Sequence, residues 1–249
     1  MKAIILLFPF FLLFGKSYNT TYYDTLFIKA SAARFDHQYM VEPAREEIIK
    51  LQDDILPFLV TKINTEQPRE YHALREIFRK IDGKKLYKFL EPELKKCDRE
   101  TFYSASYFLG RTGDKDLAEK LLPFLDHDSS YIVISTIKAL GELRDSTAVE
   151  NLVKLSTNED MKVRWAVAAT SGLSGGLEAV KLLVSLLEDN SQLVSHTSFF
   201  FLDRLLKENP AYTRFIDTGN ELKRTIIKKY EGIDFKTESE FMKFYGVAK

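Results

Sequence analysis

"LGRTGDKDLAEKLLPFLDHDSSYIVISTIKA" (residues 109–139), "LGELRDSTAVENLVKLSTNEDMKVRWAVAAT" (140–170) and "SGLSGGLEAVKLLVSLLEDNSQLVSHTSFFF" (171–201) follow one another and align without a gap. Gly110, Gly141 and Gly172 fall in one column and Leu121, Leu152 and Leu183 in another. Stepping back by 31 residues carries the leucine column through Leu90 to Leu59. A fixed period of this length marks an array in which each repeat is one supersecondary unit. The leucine column fails at Arg214, so the array runs from about residue 46 to about residue 205, roughly five units.

Each unit reads as two helices. In the first, Leu117, Ala118, Leu121, Leu122 and Leu125 recur at intervals of three and four, the stripe of an amphipathic helix. Asp114 and Asp145 stand where an N-cap side chain would accept bonds from orphaned amides. Polar turns follow at "DHDSS", "TNEDM" and "EDNSQ". In the second helix the inward columns are Ile132/Val163/Val194, Ser135/Ala166/Thr197 and Thr136/Val167/Ser198, all small or β-branched. Small residues let helices approach closely, and buried hydroxyls are expected to bond back to the preceding turn. Gly110, Gly141 and Gly172 are expected at the second helix's end, as left-handed caps.

On these residues the chain resembles the short HEAT repeats of the phycobilisome-lyase type. The matching features are the Leu-Gly pair, the Asp before the first helix and the Val163-Arg164 pair opening the second. The resemblance covers residues 109–201 well and 46–108 loosely. It implies an all-α, right-handed solenoid of about five 31-residue helix-turn-helix units with helical caps, the second helices lining the concave side. Arg164 matches the family's arginine, while Val133 and Ser195 occupy its column in the neighbouring units, which speaks against a continuous arginine ladder. Such units cannot bury their own stripes, so stacking supplies the core.

The rest of the chain is read around that array. Residues 1–17, "MKAIILLFPFFLLFGKS", have a basic start at Lys2, an apolar run from Ala3 to Phe14 interrupted at Pro9, and small residues Gly15 and Ser17 before Tyr18. This is a signal-peptide pattern, and the run falls short of the ~20 residues of a membrane span. An exported, periplasmic or secreted protein without a stable membrane span is the expectation; an uncleaved anchor is the alternative. Residues 18–45 read as an N-terminal arm or cap. Residues 206–249 read as a helical C-terminal cap, with Thr237 and Glu240 spaced as a capping box.

Composition narrows the function. The chain has 249 residues, 36 basic and 36 acidic side chains, 11 glycines and 7 prolines, which favours helices and offers no basic excess for nucleic acid. The Lys223, Arg224, Lys228 and Lys229 cluster reads as a solvated face. Cys97 is the single cysteine, so no internal disulfide and no thiolate zinc site is available. His37, His72, His127 and His196 form no metal-binding pair, and the strings of phosphate loops, dinucleotide loops and nucleophile elbows are absent. No catalytic residue, cofactor or metal is expected.

The chain's one tryptophan, Trp165, lies opposite the buried stripe of its helix. Its repeat column reads His72, Tyr103, Ile134, Trp165, His196; one turn on come Glu76, Tyr107, Lys138, Ala169, Phe200, and between them Arg75, Ser106, Ile137, Ala168, Phe199. The outer columns of the first helices, Glu119/Glu150/Lys181 and Pro123/Lys154/Ser185, are mostly polar by contrast. An apolar strip with a polar rim marks a binding surface. Tyr103, Tyr107, Ile134, Lys138, Trp165, His196 and Phe200 are the candidate partner-binding residues of a non-enzymatic scaffold that takes a protein or peptide. A small-molecule or lyase-like enzyme using the same groove is the alternative. Burial under the chain's own termini, or in a homodimer, stays open.

Overall fold

The computed structural model describes residues 20–32 and 34–215, and the side chains of all of these but 34–38 and 213–215. Residues 1–17, read above as a signal peptide, the basic cluster at 223–229 and the expected capping box at Thr237 lie outside them. The described residues are helical with no strand: α1 (Thr20–Ala30), α2 (Arg34–Leu51), α3 (Leu56–Val60), α4 (Pro68–Phe78), α5 (Gly83–Lys95), α6 (Arg99–Thr112), α7 (Ala118–Leu121), α8 (Ser130–Leu143), α9 (Ala148–Leu152), α10 (Met161–Ser174), α11 (Gly176–Leu186) and α12 (Gln192–Glu208). No helix among them is long and apolar enough to cross a membrane.

The described residues form an all-α solenoid of stacked helix pairs. The first helices are α3, α5, α7, α9 and α11; the second helices are α4, α6, α8, α10 and α12. Leu59, Leu90, Leu121, Leu152 and Leu183 are all fully buried. Burying each leucine stabilises the fold by about 1.5–3 kcal/mol relative to exposure. α2 crosses residue 45 unbroken, so the N-terminal segment and the array share a helix; α1 packs on α2 and α4. Beyond α12 a 3-10 turn, Pro210–Phe215, packs against α11 and α12.

Local chemistry sets the boundaries. Asp114 accepts from the Asp116 amide at 3.1 Å, and Asp145 from the Thr147 amide at 3.0 Å, as N-caps do. The first helices of the third and fourth units are shorter than their apolar stripes imply. α7 gives way to a 3-10 turn at Leu122–Asp126, which contains Pro123, a residue with no amide to continue the ladder. α9 breaks in the same way at Val153–Leu155 without a proline, so proline is not the sole cause. The buried hydroxyls of the second helices bond back as their positions imply: Ser135 to the Tyr131 carbonyl at 2.9 Å, Thr136 to Ile132 at 2.9 Å, Ser198 to Val194 at 2.8 Å.

The glycine column behaves differently from the expectation. Gly110, Gly141 and Gly172 lie inside α6, α8 and α10, and none of them has a positive φ. The turn positions come three residues later, at Gly113 (φ 72), Arg144 (φ 52) and Gly175 (φ 70), again 31 apart. What the inner glycines provide is proximity. A Cβ on Gly110 would sit 2.8 Å from the Ala139 carbonyl oxygen, one on Gly141 2.9 Å from Thr170 Oγ1, and one on Gly172 2.0 Å from the Phe201 ring. Successive second helices touch there. Thr170 uses the approach to donate to the Ile137 carbonyl on the neighbouring helix at 3.0 Å.

Arg164 forms one inter-repeat rung rather than a ladder. Its guanidinium holds Asp189 through Nε at 2.7 Å and Nη2 at 3.0 Å, and also donates to the Asn158 carbonyl at 2.8 Å. The two side chains are 11% and 6% exposed. Paired, hydrogen-bonded charges of this kind survive burial because their desolvation is offset on both sides. The equivalent residues, Val133 and Ser195, are simply buried.

Two substitutions separate proximity from turn geometry. Gly172→Ala gains about 1 kcal/mol of helix propensity but overpacks Phe201, at a cost toward the upper end of ~1–3 kcal/mol and beyond. A net fall in melting temperature of about 4–8 °C is expected. Arg144→Gly relieves an exposed left-handed non-glycine residue and should raise it by about 1–3 °C; differential scanning calorimetry of both variants checks the signs.

Candidate functional site

A hollow of about 210 Å³ opens between three successive second helices. α6 contributes Tyr103, Ser106 and Tyr107; α8 contributes Ser135, Lys138, Ala139 and Glu142; α10 contributes Trp165, Ala166, Ala169, Thr170 and Leu173. The floor is made of small residues because the helices approach closely there. Ser106, Ser135, Ala139, Ala166 and Thr170 are buried. The rim is aromatic and charged, since side chains one helical face away from the stripe splay outward.

The rings are ordered against one another. Tyr103 and Tyr107 stack at 6.2 Å between centroids with 22° between planes, and Tyr107 stacks on Tyr71 of α4 at 5.6 Å. Burial pushes the Tyr71 phenol far above its ordinary range, with Tyr107 adding to the effect; burial likewise raises Tyr103. Both therefore remain neutral hydroxyls at any ordinary pH. Opposite them, the Lys138 ammonium sits 5.6 Å from the centre of the Trp165 ring, within reach of a cation–π attraction. Glu142 accepts from Arg111 Nη1 at 2.6 Å across the 31-residue step. The Trp165 indole N–H is shielded and has no acceptor among the described residues.

Of the seven candidate residues, the hollow brings together Tyr103, Tyr107, Lys138 and Trp165. Ile134 on α8 and His196 and Phe200 on α12 are half-buried and do not line it; Phe200 packs edge-on against Phe201 at 5.1 Å. The intermediate column does not belong to an open strip, because Ser106, Ile137 and Ala168 are buried. Glu142 and Leu173 were not legible as site residues, although they share a repeat column and Glu142 lies two turns beyond Ser135. Among the described residues no group of three or more His, Cys, Asp or Glu side chains is placed to hold a metal ion.

A second, larger hollow of about 910 Å³ lies on the first-helix side, where Lys84 and Asp116 pair at 2.7 Å within a mixed lining of lysines and acids. Its lining balances four lysines against four carboxylates and carries one aromatic, Tyr87. The Trp165 hollow is the better candidate on chemical grounds.

Residues 118–199 match the family model of HEAT repeats, a stretch running from α7 into α12. No curated protein matches the chain. Among solved structures it is similar to an engineered protein from a structural genomics consortium, at 18% identity over 76% of this chain and 90% of that one, with a TM-score of 0.44. It is also similar to a second engineered protein from the same source, at 16% identity over 90% and 62% with a TM-score of 0.46. A designed armadillo repeat protein in complex with a (KR)4 peptide is similar at 17% identity over 70% and 96%, with a TM-score of 0.38. The HEAT-repeat match and the helix order together make the fold an all-α solenoid of HEAT-like repeats.

Proposed function

We propose that this chain is an exported, non-enzymatic binding module that takes a segment of a partner protein or peptide in the hollow between α6, α8 and α10. The observation carrying this reading is the aromatic wall of Tyr103, Tyr107 and Trp165 over a floor of small residues. Aromatic side chains supply contact area at low entropic cost and dominate interface hot spots. The finer likeness, to repeats of the phycobilisome-lyase type, rests on the Leu-Gly pair, the Asp before the first helix and the Val163-Arg164 pair opening α10. Size weighs against the small-molecule alternative. Pockets for drug-sized ligands are about 300–1,000 Å³, whereas this one is about 210 Å³. A single large side chain fits better than a chromophore.

Trp165 is the only indole, so its fluorescence has one source. Acrylamide should quench it at every protein concentration, and Lys138→Ala should increase the quenching constant by removing the ammonium above the ring. Protection from acrylamide at all concentrations would mean that the chain's own termini fill the hollow. Protection that grows with concentration, together with a rising mass in sedimentation, would mean that a second copy fills it. In a pull-down with the mature protein, Trp165→Ala should lose a bound polypeptide that Glu119→Ala, on the first-helix side, retains.

A further inference from the structure

The last helix pair is built differently from the pairs before it. Leu182 of α11 is buried where its repeat mates Lys120 and Asn151 are exposed, and Val184 is buried where Val153 is exposed. Yet among the described residues no helix pair follows α11 and α12. α12 shows the same excess on the side a next helix would meet. α10 meets α12 at Gly172, where a Cβ would strike the Phe201 ring, and Ala168 lies one turn before it. One repeat on, that stripe reads Phe199 and Asp203, flanked by His196 and Phe200. Phe199 and Phe200 are half-buried and packed against the core. The described segment beyond α12 is the Pro210–Phe215 turn, from which Tyr212 packs on the core while Pro210 and Ala211 are exposed.

We propose that residues 216–249 of the same chain dock on this α11–α12 face and close the array. The Pro210–Phe215 turn already packs against both helices, so whatever follows Phe215 is tethered beside the face at high effective concentration. The segment has the apolar residues such a face takes: Leu222, Ile226, Ile227 and Tyr230 recur at intervals of three and four, with Arg224 and Lys228 on the opposite side of that stripe. A second copy stacked head to tail fits less well, because it would offer an N-terminal end where α1 and α2 already pack on α4. Nor can another unit nest as closely as the earlier ones do. Asp203 stands in the glycine column of α12, paired with Lys207 at 2.8 Å. His196 and Phe200, which share the columns of the aromatic strip but not the hollow, then belong to this docking face. The partner groove ends at α10.

The test uses the mature protein with Phe200 replaced by the photo-crosslinker p-benzoylphenylalanine, irradiated at low concentration and mapped by peptide mass spectrometry. Crosslinks should fall within one chain, on residues 216–249. The same probe at Val153, exposed on the first-helix side, should not reach that segment. Crosslinks from position 200 to a second copy, to residues 20–51, or to α11 and α12 alone would overturn the proposal, as would recovery of the protein uncrosslinked. A second measurement is independent of the probe. Ile226→Asp combined with Ile227→Asp should lower the melting temperature by about 4 °C or more and make the mass in sedimentation rise with concentration, as the bared phenylalanines associate. Acrylamide quenching of Trp165 should be unchanged in that variant, since the hollow lies on other helices. Melting and mass like those of the unaltered protein would show that the segment does not cover the face, whatever the state of the hollow.

Discussion

The contact on which the rest depends is the side-chain-free approach of one second helix to the next. At Gly110, Gly141 and Gly172 the following helix comes within a distance that a methyl group would forbid. Because the helices meet there, Thr170 reaches the Ile137 carbonyl, and Arg204 Nη2 reaches the Gly172 carbonyl at 2.6 Å. Dispersion and burial along this line are short-range, so a shift of half an ångström would forfeit a sizeable part of them. The leucine column on the other side of each unit supplies bulk stability; the glycine column supplies spacing.

That spacing creates the hollow. Close contact needs small residues on the facing sides of α6, α8 and α10, and small residues leave volume wherever they do not touch. The larger side chains on the same helices, Tyr103, Tyr107, Lys138 and Trp165, then stand around that volume as walls. Charge follows the same logic: Arg111 and Glu142 pair because they occupy one repeat column on adjacent helices. The Arg164 rung ties the loops at 158 and 189 and holds the far ends of α10 and α12 in register.

Much of this was written in periodicity. The leucine column, the N-cap aspartates and the back-bonded hydroxyls each follow from local spacing, and each is found where that spacing puts it. The glycines misled, since a glycine near a helix end has two uses, and only the neighbouring helix shows which applies. Gly113, Arg144 and Gly175 took the turn instead, and an arginine in that column hid it. The aromatic strip was legible as a set of columns, yet Ile134, His196 and Phe200 share those columns without sharing the hollow.

The sequence by itself determined the repeat, the helix pairs, the buried stripes and the side of the array on which aromatics gather, because those depend on residues three, four or 31 apart along one chain. Tertiary structure alone decided which columns meet, how closely, and where a void remains. Packing depends on the fit between surfaces of different helices, and that fit turns on distances of an ångström that no spacing within a single helix encodes.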